Sequence, residues 1–144
     1  MVHALQESWR VLTPHGSMVD VRPLCVDVPL EVVFAQKSQS AGMVDLSPDI
    51  GRDIAADKAL ATAFATQLFL ETSLEFFDFS FYWHSVEEMK ADLDENWKDE
   101  TKISEDVWQS ADELLAEHSP GAKLRLAVQM KLGLYKKLII LSND

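Results

Sequence analysis

The stretch from Lys123 to Lys137, KLRLAVQMKLGLYKK, constrains the fold of this chain more than any other. From Leu124 to Leu134 every even position is apolar: Leu124, Leu126, Val128, Met130, Leu132 and Leu134. The odd positions hold Lys123, Arg125, Ala127, Gln129, Lys131 and Gly133. A sustained period of two belongs to a β-strand, whose successive side chains point to opposite faces, and it predicts one buried face along its length. A strand this long needs partner strands, so the chain must contain a sheet.

The preceding segments supply candidates. Ala4, Leu5, Trp9 and Leu12 form a helical stripe that Thr13-Pro14-His15-Gly16 stops. Residues 17–24 alternate as a strand, and 30–34 form another. The polar stretch 36–42 reads as a turn, with 43–46 pairing back to complete a hairpin over 30–46. Ser47-Pro48 opens a helix that carries Ala55, Leu60, Ala61, Phe64 and Leu68 on one side. Residues 73–83 read as a strand, with an aromatic run that suits burial on both faces. Ser85 and Glu88 make a capping box, in which each satisfies a backbone donor of the other, and Val86, Met89, Leu93 and Trp97 continue the helix. Ser104, Glu105 and Asp106 open a further helix with Val107, Trp108, Ala111, Leu114 and Leu115 facing inward; Ser119-Pro120-Gly121 ends it.

These elements predict a single domain over 1–144, of α/β to α+β class. Its small mixed sheet has parallel strands near 17–24 and 73–83 and a long antiparallel strand at 123–137. Around the sheet lie a hairpin at 30–46 and helices near 3–12, 48–68, 85–98 and 104–118.

With 47% hydrophobic and 26% charged residues, 144 residues suffice for a packed core. The net charge of −11 argues against nucleic acid and anionic membranes as partners, because phosphates would be repelled. The charge is uneven: residues 85–118 hold twelve acids and three lysines, whereas 119–144 hold five basic residues and one acid. The acids fall on two expected helices, where they form a solvated outer face or a docking surface for a basic partner. No apolar run approaches the roughly 18 residues of a membrane span. The N-terminus lacks the basic region and apolar core of a signal peptide. The lone Cys25 cannot form an internal disulfide, which suits a cytoplasmic location.

Motifs that carry chemistry are scarce. Residues 92–96, DLDEN, begin like a calcium loop, but its sixth and twelfth positions are Trp97 and Ile103 instead of glycine and glutamate. His3, His15, His84 and His118 are not at metal-ligand spacings, so no metal site is expected. No nucleophile elbow or phosphate loop occurs. Glu87 and Glu88 project about 100° apart on a helix and do not form a working carboxylate pair.

One crevice follows from strand direction. If the strands at 17–24 and 73–83 are parallel, their C-terminal ends share one sheet edge, where open α/β sheets bind ligands. Arg22 then serves as an anion anchor near Tyr82, Trp83 and His84, with Trp83 as a stacking wall. The plainer alternatives are a surface arginine and a core tryptophan. Asp78 and Ser80 need hydrogen-bond partners wherever they are buried.

The segment LQESWRVLTPHGSMVDVRPL resembles a stretch of class I S-adenosylmethionine-dependent methyltransferases that reads roughly E-x-x-R-V-L-K-P-G-G before an apolar strand. The matching residues are Glu7, Arg10, Val11, Leu12, Pro14 and Gly16; His15 replaces the usual first glycine and Thr13 the usual lysine. The resemblance implies that 17–24 is the family's fifth strand, 73–83 its sixth, and 123–137 the antiparallel seventh strand between them. The hairpin and the two acidic helices would be insertions.

The chain would then be the C-terminal half of that fold. The family binds its cofactor in the other half, through a glycine-rich loop. The five glycines here, Gly16, Gly42, Gly51, Gly121 and Gly133, are scattered, so no residue is carried over as a cofactor ligand or catalytic group. The implied function is a fragment, inactive alone, that acts through association as a homodimer or with a complementing chain along the exposed edge at 17–24. A 5′-truncated methyltransferase, binding S-adenosylmethionine only with its missing half, is one alternative. A small α+β module binding a ligand through Arg22 and residues 82–84 is the other.

Overall fold

The structure, a computed structural model, describes residues 2–139. Among them are four α-helices and a five-stranded antiparallel sheet. In chain order they are α1 (Val2–Val11), β1 (Ser17–Pro23), β2 (Val28–Phe34), β3 (Lys37–Val44), α2 (Ile50–Ala65), β4 (Phe69–Trp83), α3 (Val86–Asn96), α4 (Glu105–Glu117) and β5 (Lys123–Lys137).

The sheet is antiparallel, so the mixed sheet with parallel strands near 17–24 and 73–83 is not what forms. β1 pairs antiparallel with β5, Ser17 opposite Lys136 and Pro23 opposite Met130, and β4 also pairs with β5. The Lys137 N–H donates to the Gly16 carbonyl (2.8 Å), and the next N–H, of Leu138, donates to the Leu68 carbonyl (2.9 Å). Consecutive N–H groups of a strand point to opposite sides. β5 therefore lies between β1 and β4.

Two further boundaries differ from the sequence reading. The polar stretch 36–42 is mostly strand: β3 pairs with β2 across a two-residue turn at Ala35 and Gln36, whose φ values of 44° and 63° suit a tight hairpin. β3 ends the strand order, so Lys37 to Ser40 are exposed and polar, and such a strand imitates a loop. β4 begins at Phe69, four residues before the expected start. Gln67, at φ 57°, ends α2 while the Leu68 N–H closes back on the Ala63 carbonyl (2.9 Å).

The chain divides into two compact units, each with its own packing. The first comprises Met1–Leu24, Gly51–Phe77 and Met130–Asp144; the second comprises Cys25–Ile50 and Asp78–Gln129. In the first, Leu60 and Ala63 of α2, Phe69 of β4 and Tyr135 of β5 form the buried centre, with Leu5, Trp9 and Leu12 of α1 packed against it. The Trp9 indole donates to the Leu138 carbonyl (3.0 Å), and the Lys137 ammonium lies 4.5 Å from the centre of its ring.

In the second unit Leu30, Val32, Val44, Leu124, Leu126 and Val128 are buried, together with Met89 of α3 and Ala111 of α4. Gly42, at φ 146°, gives Val107 of α4 room to approach β3, since a Cβ there would collide with the valine. The capping box is present: the Ser85 hydroxyl accepts from the Glu88 N–H (3.1 Å). Its carboxylate accepts from the His84 N–H (2.6 Å).

The single buried face expected along β5 is corrected by these two cores. Even positions are buried in the second unit, whereas in the first the buried positions are the odd ones, Gly133 and Tyr135. Met130, Leu132 and Leu134 are only half-buried there, because the helical core of that unit is built on the odd face.

Candidate functional site

Alternation along β1 sorts the chemistry of the first unit into two sheet faces. Met18, opposite Tyr135, belongs to the helix-covered face, and Asp20 and Arg22 follow it there. Arg22 Nε donates to Asp20 (2.8 Å), Nη1 to Asp53 (2.8 Å) and Nη2 to Asp57 (2.7 Å). Asp53 and Asp57 stand one turn apart on α2, a spacing that puts both on one side of the helix. Lys131 of β5 donates to the same Asp57 oxygen (2.9 Å).

This network perturbs its members. The hydrogen bond from Arg22 holds the Asp57 carboxyl below the usual range; burial opposes this and Lys131 adds to it. Burial works against the Arg22 charge, yet the bonds to Asp57 and Asp20 hold its pKa above the ordinary value. Burial pushes the Tyr135 phenol up, and the nearby charges of Asp20 and Glu71 add to the shift. Each guanidinium nitrogen of Arg22 thus bonds a different aspartate.

The opposite face is apolar and uncovered. Val19 and Val21 of β1 lie there, 58% and 48% exposed, opposite Leu134 and Leu132. On β4 the Thr72 hydroxyl donates to the Leu134 carbonyl (3.0 Å), and Phe69 is buried with Tyr135, so Leu74 and Phe76 share the face of Leu132 and Leu134. Leu74 is 42% and Phe76 54% exposed. The helix-covered face thus holds both the apolar core and the ion network, while on the other face aliphatic and aromatic side chains point toward solvent. A strand buried on both faces, as the aromatic run suggested, is not what β4 becomes; Phe76, Phe77 and Phe79 are all exposed.

The edge of this sheet is open as well. Among the described residues β1 pairs only with β5. Because the Gly16 carbonyl is bonded to Lys137, the even residues of β1 face β5, and Ser17, Val19 and Val21 direct their N–H and C=O groups outward. Beside this edge is a recess of about 210 Å³, lined by Ala4 and Leu5 of α1, Ala56, Ala59 and Leu60 of α2, and Met18, Val19, Asp20 and Arg22 of β1.

Comparison with protein-family models, with curated proteins and with solved structures found no match to this chain. The site is therefore read from its own geometry.

Of the residues expected at a crevice, Arg22 belongs to the first unit and Tyr82, Trp83 and His84 to the second, and each has neighbours within its own unit. Trp83 is buried, and its indole N–H donates to Asp92 (2.9 Å), the plain reading of a core tryptophan. Tyr82 is exposed, and its hydroxyl bonds with Arg125, which also donates to Glu31 through Nε and Nη2 (2.9 and 2.7 Å). His84 is exposed beside Glu88. Asp78 is exposed and needs no protein partner.

Among the described residues no group of three or more His, Cys, Asp or Glu is arranged to hold a metal, and no helix is long and apolar enough to cross a membrane. Sequence reasoning missed Asp53 and Asp57, and the only signal for them was their four-residue spacing. It also missed His118, whose ring stacks on Phe34 at 3.5 Å between centroids and whose Nε2 is buried with no hydrogen-bond partner among the described residues.

Proposed function

We propose that this chain works by association and carries no active site of its own. In this reading it is a methyltransferase-like half-fold, and the uncovered sheet face of its first unit receives another polypeptide surface. The observation that carries it is the exposed apolar face of the sheet. Val19, Val21, Leu74 and Phe76 each forgo a large part of the roughly 1.5–3 kcal/mol that burying such a side chain provides. Against a typical domain stability of about 5–15 kcal/mol, covering the four together is a substantial driving force. A contiguous apolar patch of this kind marks an interaction surface more often than a solvated one.

Two other features support the reading. The order β1–β5–β4 within the first unit is the order that the methyltransferase resemblance implies. The five glycines are scattered and form no glycine-rich loop of the kind that holds a nucleotide-like cofactor.

Photo-crosslinking tests the proposal. With p-benzoylphenylalanine in place of Phe76, irradiation of cells producing the chain should give a discrete adduct; the same group in place of Glu95, exposed on α3, should give none. Calorimetry of the purified chain with S-adenosylmethionine should show no binding heat. No adduct at position 76, or saturable cofactor binding, contradicts the proposal.

A further inference from the structure

We infer that the open edge of β1 takes up an extended, apolar segment of another polypeptide as an added strand. Alternate side chains of that segment would seat in the recess between α1 and α2. This rests on the association reading above but assigns a different element, the edge instead of the face, and names the chemistry of the occupant.

The backbone comes first. Ser17, Val19 and Val21 offer outward N–H and C=O groups, and Pro23 offers a carbonyl only, so the acceptor ladder is short and closes at the proline. A row of alternating donors and acceptors at strand spacing is matched by another extended backbone, the mode in which sheet edges recruit peptides.

The side-chain requirement follows from the two faces. Residues of the guest that point toward the helices meet Ala4, Leu5, Ala56, Ala59, Leu60 and Met18, a recess with room for one or two aliphatic side chains. The two charged residues of its lining, Asp20 and Arg22, already bond to each other (2.8 Å). Residues pointing the other way extend the apolar surface of Val19 and Val21. The guest must therefore be apolar on both sides, as strands buried on two faces are.

A second copy of this chain fits less well. Antiparallel self-pairing through the outward groups, centred on Val19, sets Asp20 of each copy opposite Met18 of the other. That brings the second copy's carboxylate to a recess whose lining already includes Asp20. An apolar segment without acidic residues avoids this cost.

Residue-resolved amide exchange on the full chain tests the inference. In the free protein Met18, Asp20 and Arg22 should exchange slowly, since their amides face β5, and Val19 and Val21 quickly. The probe is the peptide acetyl-Lys-Lys-Val-Ile-Val-Leu-Val-Lys-Lys-amide, with the same sequence N-methylated at alternate residues as control. Saturating peptide should slow exchange at Val19 and Val21 by about tenfold or more, and the control should not. Val19→Pro removes an outward N–H without touching the β5 ladder and should weaken peptide binding about tenfold. Ala56→Leu, which fills the recess while leaving the edge intact, should weaken it independently.

Equal binding of the N-methylated control overturns the inference, as does binding that leaves Val19 and Val21 unprotected. Protection of these amides by concentration alone, without peptide, assigns the edge to a second copy and also overturns it. Photo-adducts at position 76 with no peptide binding would leave the association reading standing and remove this one.

Discussion

The unit built from residues 1–24, 51–77 and 130–144 carries seven acidic and seven basic side chains, and so is neutral as a whole. The other, with seventeen acids and six basic residues, carries the entire net charge of −11. The acidic unit is conventional: Leu30, Val32, Leu124 and Leu126 are buried, and the carboxylates of α3 and α4 are largely exposed. The neutral unit holds its ion network against α2 and leaves Val19, Val21, Leu74 and Phe76 in solvent. The contrast teaches that the chain's charge describes one unit only. A neutral apolar surface can meet a partner without the like-charge repulsion that −11 would suggest.

Core truncation should separate the two kinds of apolar residue most sharply. Leu126→Ala, at a position with no solvent exposure, should lower the unfolding free energy by about 2–5 kcal/mol in urea titrations. Phe76→Ala removes a larger side chain, yet it should cost under about 1 kcal/mol, because the ring is already half in water. Similar losses at both positions would erase the distinction between core and surface.

The ion network gives the next largest effect. Arg22→Met leaves Asp20, Asp53 and Asp57 facing one another with Lys131 as the remaining cation, and should cost about 2 kcal/mol at pH 7. That figure is reduced from a fully buried case because Asp57 is half-exposed. The pH dependence has a definite sign. The Asp57 carboxyl is depressed in the folded chain, chiefly by its bond with Arg22, so its stabilising contribution is present above the unfolded value of about 4. The contribution is lost as pH falls through the folded value. The gap between Arg22→Met and the parent should therefore be widest near neutrality and narrow below about pH 4 in acid titrations.

The smallest effect belongs to the acidic unit. Ser85→Ala removes the acceptor of the Glu88 N–H at the start of α3 and should cost about 1 kcal/mol, read by the same urea titration.

How much of this was legible depended on the range of the interactions. The strand Lys123–Lys137 showed in the sequence because its alternation runs unbroken from Leu124 to Leu134. The cap at Ser85 showed because its partner is three residues away. β3 was hidden because a strand with one neighbour can carry Lys37, Ser38, Gln39 and Ser40 at no cost. The parity switch of burial in β5 was hidden because its even positions are apolar from Leu124 to Leu134, whether or not a core covers them. Nothing local marks Val19 and Val21 as solvent-facing; the placement of α1 and α2 shows it. The Arg22 network joins residues 31 and 35 positions apart, beyond any local pattern.

The central claim is that the uncovered face of the neutral unit is a partner surface and not part of the core. The most direct test is the triple variant Val21→Lys, Leu74→Lys and Phe76→Lys, measured for stability in urea and for cross-linking from p-benzoylphenylalanine placed at Val19. The account predicts a folded chain within about 1 kcal/mol of the parent, since exposed sites tolerate polar replacement, together with loss of the adduct seen without the lysines. Unfolding of the variant, or an adduct that survives the three lysines, would contradict it.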